Sequence, residues 1–198
     1  GGEYIEFLNS VQQTPDGGYL LAGESLSGIG GDKSEITTGA DTWLVKTDSL
    51  GNKQWDKDIG GTASEWLNSL QQTPDGGYIL GGQSWSGVSG NKTQPVWGFQ
   101  DYWIVKIDSL GNIQWDKDFG GLGDEDEFGN ITPTLDGGYL LAGFTWSNAG
   151  GDKTENNLGF TQMWIVKTDS SGNKDWDKTI FTSGNDLLSY GIQTKDGC

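Results

Sequence analysis

Short runs of apolar and β-branched residues alternate with polar residues and glycine-containing turns along the whole chain. Trp43–Asp48 is rich in strand-forming residues, Ser49–Asn52 has the composition of a tight turn, and Lys53–Ile59 alternates polar and apolar residues. This order predicts an antiparallel hairpin. A second hairpin is predicted where Trp66–Gln72 and Tyr78–Gly82 flank another glycine turn. No stretch has helical periodicity beyond one turn, so we expect an all-β chain.

The hairpins belong to a repeat with a period of about sixty residues. Asp16, Asp75 and Asp136 each precede a Gly-Gly-Tyr sequence, and the motif begins again at Asp196. Two tryptophan positions recur with the same step and are expected in the core between sheets. These residues are Trp43, Trp103 and Trp164, and Trp55, Trp115 and Trp176. Four short strands per period predict β-propeller-like tandem repeats, each a four-stranded antiparallel blade.

The repeat sets the expected domain organisation. We divide a single repeat domain, residues 1–198, into repeats 1–59, 60–119 and 120–180 and a partial repeat 181–198. We place the hairpin that begins at Trp43 and the hairpin that begins at Trp66 in the same blade. This grouping predicts about three repeats, with incomplete blades and unpaired strand edges at both ends. Three explanations stay open: a segment of a longer repeat protein, closure within the chain, or joining to other copies. The single cysteine, Cys198, is a candidate for an intermolecular disulfide.

Charge and composition disfavour several classes of function. The chain has 28 acidic and 12 basic residues and a formal net charge of -16, which disfavours nucleic acid and anionic membranes as partners. It contains no histidine, and every basic residue is lysine, so the commonest general base and the bidentate arginine clamp are missing. No apolar run is long enough for a membrane span. We therefore expect a non-enzymatic protein that does not insert into membranes.

The repeat motifs resemble a known family. Asp-Thr-Trp-Leu-Val-Lys-Thr-Asp-Ser-Leu-Gly-Asn at 41–52, combined with Pro-Asp-Gly-Gly-Tyr-Leu-Leu-Ala-Gly at 15–23, resembles the bacterial tandem β-propeller repeats of large secreted and surface proteins. The resemblance covers nearly the whole chain and extends to proteins exported by the type IX secretion route. It implies a secreted or cell-surface protein whose targeting segment is not present in this chain. It also implies O-glycosylation at Asp-Ser motifs, with Ser49 and Ser109 as candidate acceptors, although a plain hairpin turn explains the same residues.

Long polar connections separate some of the strands, and loops of this length are often functional. Trp85, Trp97 and Trp146 lie in these loops, outside the strand pattern. Exposed aromatic rings stack on sugars and on protein partners, so these three are our candidates for ligand recognition. Packing of the rings beneath the loops is the alternative interpretation.

Acidic and amide side chains in the loops raise the question of a metal. Asp32, Asn91 and Asp152 occupy equivalent positions among glycines, and we retain them as ligand-binding candidates. Their oxygens suit calcium as a cofactor, but no spacing typical of an EF-hand is present and no metal site is assigned.

Other acidic residues are expected to be solvated. The run Asp124–Glu127 is predicted to be solvent-exposed charge, with a glycosidase carboxylate pair as the alternative. Asp56, Asp116 and Asp177 each precede a lysine and alternate with tryptophan, which predicts outward-facing strand positions.

Two functions are compatible with these features. The first is an extracellular or cell-surface binding and adhesion module that engages glycans or proteins through its loops. The alternative is a structural subunit whose open blade edges pair with further copies of itself and build a ring or filament. The sequence does not identify the ligand.

Overall fold

A computed structural model describes residues 1–123, 125–180, 184–187 and 190–194. Within these residues the chain forms β-strands and no helix, arranged as three four-stranded antiparallel sheets that do not close into a ring. The prediction of an all-β chain with four strands in each period is confirmed. Nothing in the described part of the chain forms a helix suited to crossing a membrane.

The strands of each sheet follow one another in chain order, so each sheet is a meander. The first sheet contains β1 (Glu6–Gln13), β2 (Tyr19–Ser25), β3 (Asp41–Thr47) and β4 (Lys53–Ile59). The second contains β5 (Glu65–Gln72), β6 (Tyr78–Ser84), β7 (Asp101–Ile107) and β8 (Ile113–Phe119). The third contains β9 (Asp126–Pro133), β10 (Tyr139–Thr145), β11 (Gln162–Thr168) and β12 (Lys174–Ile180).

The Asp-Gly-Gly motif closes the first hairpin of each sheet, as the β5–β6 turn shows. Gly76 has a φ of 83°, a conformation that glycine adopts without steric cost, and its N–H donates to the carbonyl of Thr73 at 2.9 Å. The Asp75 carboxylate accepts the Gly77 N–H at 3.1 Å and pairs with the buried Lys106 of β7 at 2.9 Å. The motif therefore fastens the turn to the third strand of its own sheet.

The prediction of an incomplete blade at the amino end is wrong. β2 pairs with β3 along its whole length, with Leu21 opposite Val45, so the strands within 6–59 form a complete sheet. The error came from grouping hairpins across the short Gly60–Gly61 link, which joins two sheets, whereas the longer connection 26–40 joins strands of one sheet. Of the predicted partial repeat, the described residues 184–187 and 190–194 form no strand.

The sheets stack through two distinct apolar faces. In the second sheet, we call the face that carries Leu67 and Leu70 of β5 the leading face and the other face the trailing face, and we name the equivalent faces of the other sheets in the same way. The leading face of the second sheet packs on the trailing face of the first sheet, at Leu20 and Leu44. The next junction has the same design. There, Phe128 and Ile131 of the third sheet's leading face pack with Ile79 and Ile104 of the second sheet's trailing face. Most of the apolar core therefore lies between sheets.

The aspartates expected on outward faces are buried. Asp56 is 4% exposed, and its carboxylate accepts the Trp43 Nε1–H at 3.1 Å and the Ser34 N–H at 2.8 Å. Burial opposes its ionisation, but hydrogen bonds from Lys53 and Ser34 hold the pKa of Asp56 below its usual range. Equivalent bonds join Asp116 to Thr93 and Trp103, and Asp177 to Thr154 and Trp164. The prediction failed because the long loop folds back over the strand and covers its polar side.

Candidate functional site

The loops between β6 and β7 and between β10 and β11 border an open groove of about 610 Å³. Aromatic and amide side chains dominate its walls. The lining residues are Phe99, Gly123, Glu125, Trp146, Asn148, Asn157, Gly159 and Phe160. Phe99 and Phe160 are 60% and 73% exposed. The groove therefore presents flat apolar rings to solvent beside polar groups, a combination typical of ligand sites.

Backbone hydrogen bonds hold the groove walls in place. The Trp146 N–H donates to the carbonyl of Glu125 at 3.0 Å, and the Asp126 N–H donates to the carbonyl of Gln100 at 3.0 Å. An isolated bridge also pairs Leu122 with Asn148. These bonds connect both loops to the link that precedes β9, so the walls are preformed.

Asn157 gives the groove a polar anchor. Its Nδ2 donates to the carbonyl of Thr145 at 3.0 Å. Its buried Oδ1 has no hydrogen-bond partner among the residues that the structure describes. A buried acceptor without a donor is costly, so the side chain of Asn157 is fixed in the groove wall by its bond to Thr145 and not by its Oδ1. The indole of Trp146 lies close by, in edge-to-face contact with Phe144 at 5.2 Å.

Two further candidates come together next to the groove. The Trp97 Nε1–H donates to Asp152 Oδ2 at 2.9 Å, and both residues line a smaller cavity of about 250 Å³ with Lys117 and Lys174. Burial raises the pKa of Asp152, against the effect of nearby Lys174 and the Trp97 bond. This pair ties the loop of the second sheet to the loop of the third, a structural role that supports the neighbouring groove.

Trp85 lies apart from these residues. Its ring packs against Trp66 with a centroid distance of 4.8 Å, and it is half-buried. The alternative interpretation, packing beneath a loop, describes Trp85 better than ligand recognition. Of the three predicted tryptophans, only Trp146 lines the large groove.

The candidate calcium ligands do not converge. Asp32 Oδ2 accepts the amino-terminal ammonium of Gly1 at 2.8 Å, and Asn91 Oδ1 accepts the Gly60 N–H at 3.2 Å. Asp152 contacts the equivalent glycine through its backbone, because its N–H donates to Gly120 O at 2.8 Å. Each residue thus binds the glycine link before its own sheet. Among the described residues, no group of three or more acidic, histidine or cysteine side chains is arranged to hold a metal ion.

The acidic run is only partly solvated. Asp126, expected to be exposed, is completely buried and accepts the Gly121 N–H at 2.7 Å and the Ser147 hydroxyl at 3.1 Å. Burial raises its pKa to about 7. The prediction failed because Asp126 is the first residue of β9 and lies in the junction between sheets. Asp124 lies outside the described residues, as does Cys198 with its proposed disulfide.

The candidate glycosylation sites lie at exposed turns. Ser49 and Ser109 follow Asp48 and Asp108, whose carboxylates organise the β3–β4 and β7–β8 turns. Asp48 Oδ1, for example, accepts the Leu50 N–H at 2.8 Å. The hairpin-turn interpretation is confirmed. Modification of the two serines stays a prediction, compatible with their exposure.

Sequence reasoning missed two of the three large aromatic residues in the groove. Phe99 and Phe160 each follow a glycine just before the third strand of a sheet, whereas the first sheet has Ala40 at that position. Repetition of the Gly-Phe pair in two loops was the available signal. It was overlooked because a single phenylalanine in a loop does not show which other loop it faces.

Comparison with known proteins adds no family assignment. No protein-family model matches the chain, and no curated protein matches it significantly. The suspected repeat family is therefore neither supported nor contradicted.

Proposed function

We propose that this chain is a propeller-like, non-enzymatic module of a secreted or cell-surface protein, and that it binds a glycan in the groove between its second and third long loops. The observation that carries the proposal is a preformed groove lined by the exposed rings of Phe99 and Phe160 and by the half-buried indole of Trp146. Aromatic rings offer large apolar contact at a small loss of side-chain entropy. The apolar faces of sugar rings suit such surfaces.

The polar lining supports a glycan over a purely apolar ligand. Asn148, Asn157 and Glu125 provide amide and carboxylate groups within the groove, and sugar hydroxyls both donate and accept hydrogen bonds. Asn148 is solvent-exposed, and its amide can both donate and accept such bonds. With a net charge of -16, a neutral or cationic glycan is favoured over an acidic one.

A binding role fits the groove better than hydrolysis. Glycoside hydrolysis generally requires two carboxyl groups that flank the scissile bond. Among the described residues that line the groove, Glu125 is the only acid. The extracellular location is part of the proposal and rests on the sequence resemblance, as does glycosylation of Ser49 and Ser109. The intact mass of protein from the native host, with and without Ser49→Ala, tests that modification.

A glycan array probed with the labelled chain, followed by calorimetry on any hit, tests the binding proposal. Phe160→Ala should weaken binding at least about tenfold, which corresponds to about 1.4 kcal/mol. Trp176→Ala is the control, because Trp176 is an aromatic residue on β12 that is 43% exposed and lies outside the groove. Its substitution should leave binding unchanged.

Two results would overturn the proposal. One is the absence of glycan binding at millimolar concentration by a chain with native circular dichroism. The other is a glycan whose affinity is unchanged by Phe160→Ala and by Phe99→Ala. Capture of a protein ligand that is sensitive to Phe160→Ala would retain the groove but replace the proposed ligand class.

A further inference from the structure

Among the residues that the structure describes, nothing covers the apolar leading face of the first sheet. Leu8 and Val11 of β1 are 63% and 57% exposed, whereas the equivalent Leu67 and Leu70 of β5 are 3% and 2% exposed. Leu8 also lines a shallow cleft of about 170 Å³ with Leu21, Trp43 and Val45 of the same sheet. The first sheet thus exposes the surface that the second sheet buries.

The trailing face of the third sheet is also incompletely covered. Ile180 of β12 is 47% exposed, although the equivalent Ile59 and Phe119 are 2% and 3% exposed. Leu140 and Ile165 are half-buried on the same face. The two ends of the stack therefore expose the two kinds of face that meet at each internal junction.

The internal junctions show how these faces fit. A Cβ atom at Gly81 would lie 2.5 Å from the Phe128 ring, so the bulky side chains of a leading face occupy the space beside a small residue of the trailing face. Ala22 occupies the equivalent position in the first sheet and Ala142 in the third. The third sheet therefore has the small residue that a leading face requires.

A short segment of the chain partly occupies this place on the third sheet. The Asp186 N–H donates to the carbonyl of Thr161 at 2.9 Å, as the Glu65 N–H donates to the carbonyl of Ala40 at 2.8 Å. By the sixty-residue repeat, Gly191 corresponds to Ile131 of β9, and it lies over Ala142. Glycine offers no bulky side chain at this one position, where hydrogen bonds to Asn130 hold the backbone of Gly191. The face beside it is incompletely covered, since Ile180 is 47% exposed.

We infer that the leading face of the first sheet binds the trailing face of the third sheet in a second copy of this chain. In this arrangement β1 of one copy takes the place that residues 184–187 and 190–194 hold on the other, in the register of the internal junctions. The contact is heterologous, so it extends from copy to copy. It is independent of the groove and differs from the expected edge pairing, because faces and not strand edges meet.

Sedimentation velocity of the chain over a range of concentrations tests the inference. We expect the average mass to rise with concentration and to rise further with added salt, because salt screens the repulsion between copies of charge -16. The double variant Leu8→Asp/Val11→Asp and the single variant Ile180→Asp should each weaken self-association at least about tenfold. Val88→Asp, at an exposed loop position, is the control and should associate like the unchanged chain.

A mixing experiment tests the head-to-tail arrangement directly. Each variant keeps one intact face, so a mixture of Leu8→Asp/Val11→Asp with Ile180→Asp should form dimers, although neither variant does so alone. Circular dichroism and thermal melting confirm that each variant is folded. A folded, monomeric unchanged chain at all concentrations would overturn the inference. So would dimerisation of Ile180→Asp alone, because that result indicates contact between two leading faces.

Discussion

The first and second sheets carry nearly the same residues on their leading faces and differ in what covers them. Leu67 and Tyr78 of the second sheet are buried beneath the first sheet, whereas Leu8 and Tyr19 of the first sheet are exposed to solvent. Burial of apolar area contributes roughly 25 cal/mol per Å². A sheet of this kind therefore derives much of its stability from its neighbour. The same amino acid at equivalent positions contributes differently to the free energy of unfolding in each repeat.

The largest expected effect is at the paired leucines. Leu67→Ala should lower the free energy of unfolding by about 2–5 kcal/mol, because it leaves a cavity in the junction. Leu8→Ala should lower it by less than about 0.5 kcal/mol in dilute protein, because Leu8 is already exposed. Urea denaturation of both variants provides the measurement. Equal losses would show that the leading face of the first sheet is covered even in the monomer.

The acids at the start of β1 and β9 extend the comparison to pH. Burial raises the pKa of Asp126 to about 7. In contrast, a hydrogen bond from Ser27 lowers the pKa of Glu6, the equivalent acid of the first sheet. The folded protein therefore retains a proton on Asp126 that the unfolded chain loses near pH 4. Stability from this group is full below about pH 4 and declines by about 1.4 kcal/mol per pH unit up to about pH 7.

Variants at the two acids separate this contribution from that of other groups. Asp126→Asn should reduce the decline in unfolding free energy between about pH 5 and pH 7, and Glu6→Gln should leave the decline unchanged. Chemical denaturation at both pH values provides the measurement. Asp58, whose pKa burial also raises to about 7, retains its own contribution in both variants. A decline of the same size in Asp126→Asn would show that Asp126 is ionised in the folded protein.

The smallest expected effect concerns the contact between neighbouring loops. Trp97→Phe removes the hydrogen bond to Asp152 and should lower the free energy of unfolding by about 1 kcal/mol. Asp152→Asn retains an oxygen acceptor and should cost less. Thermal denaturation of the two variants distinguishes them. The opposite order would show that the charge of Asp152, and not its bond to Trp97, stabilises the loops.

The predictable part of the candidate site was the chemistry of single residues. Trp146 was identified because it lies in a long loop outside the strand pattern, and it does line the groove. Phe99 and Phe160 were missed because their role depends on two loops that are about sixty residues apart in sequence meeting in space. Asp126 was misjudged for the same reason, since its burial comes from the neighbouring sheet.

Local patterns determined the strands, their turns and the sixty-residue period. Alternation and glycine turns act within a few residues, so the β-strand content and the four strands per repeat follow from sequence alone. Which hairpins share a sheet was decided by the tertiary structure, because β2 and β3 pair across a long loop whose own folding brings them together. The burial of Leu67 and the exposure of Leu8 were likewise decided there. Equivalent residues have identical local signals, and only the presence of a neighbouring sheet removes one of them from water.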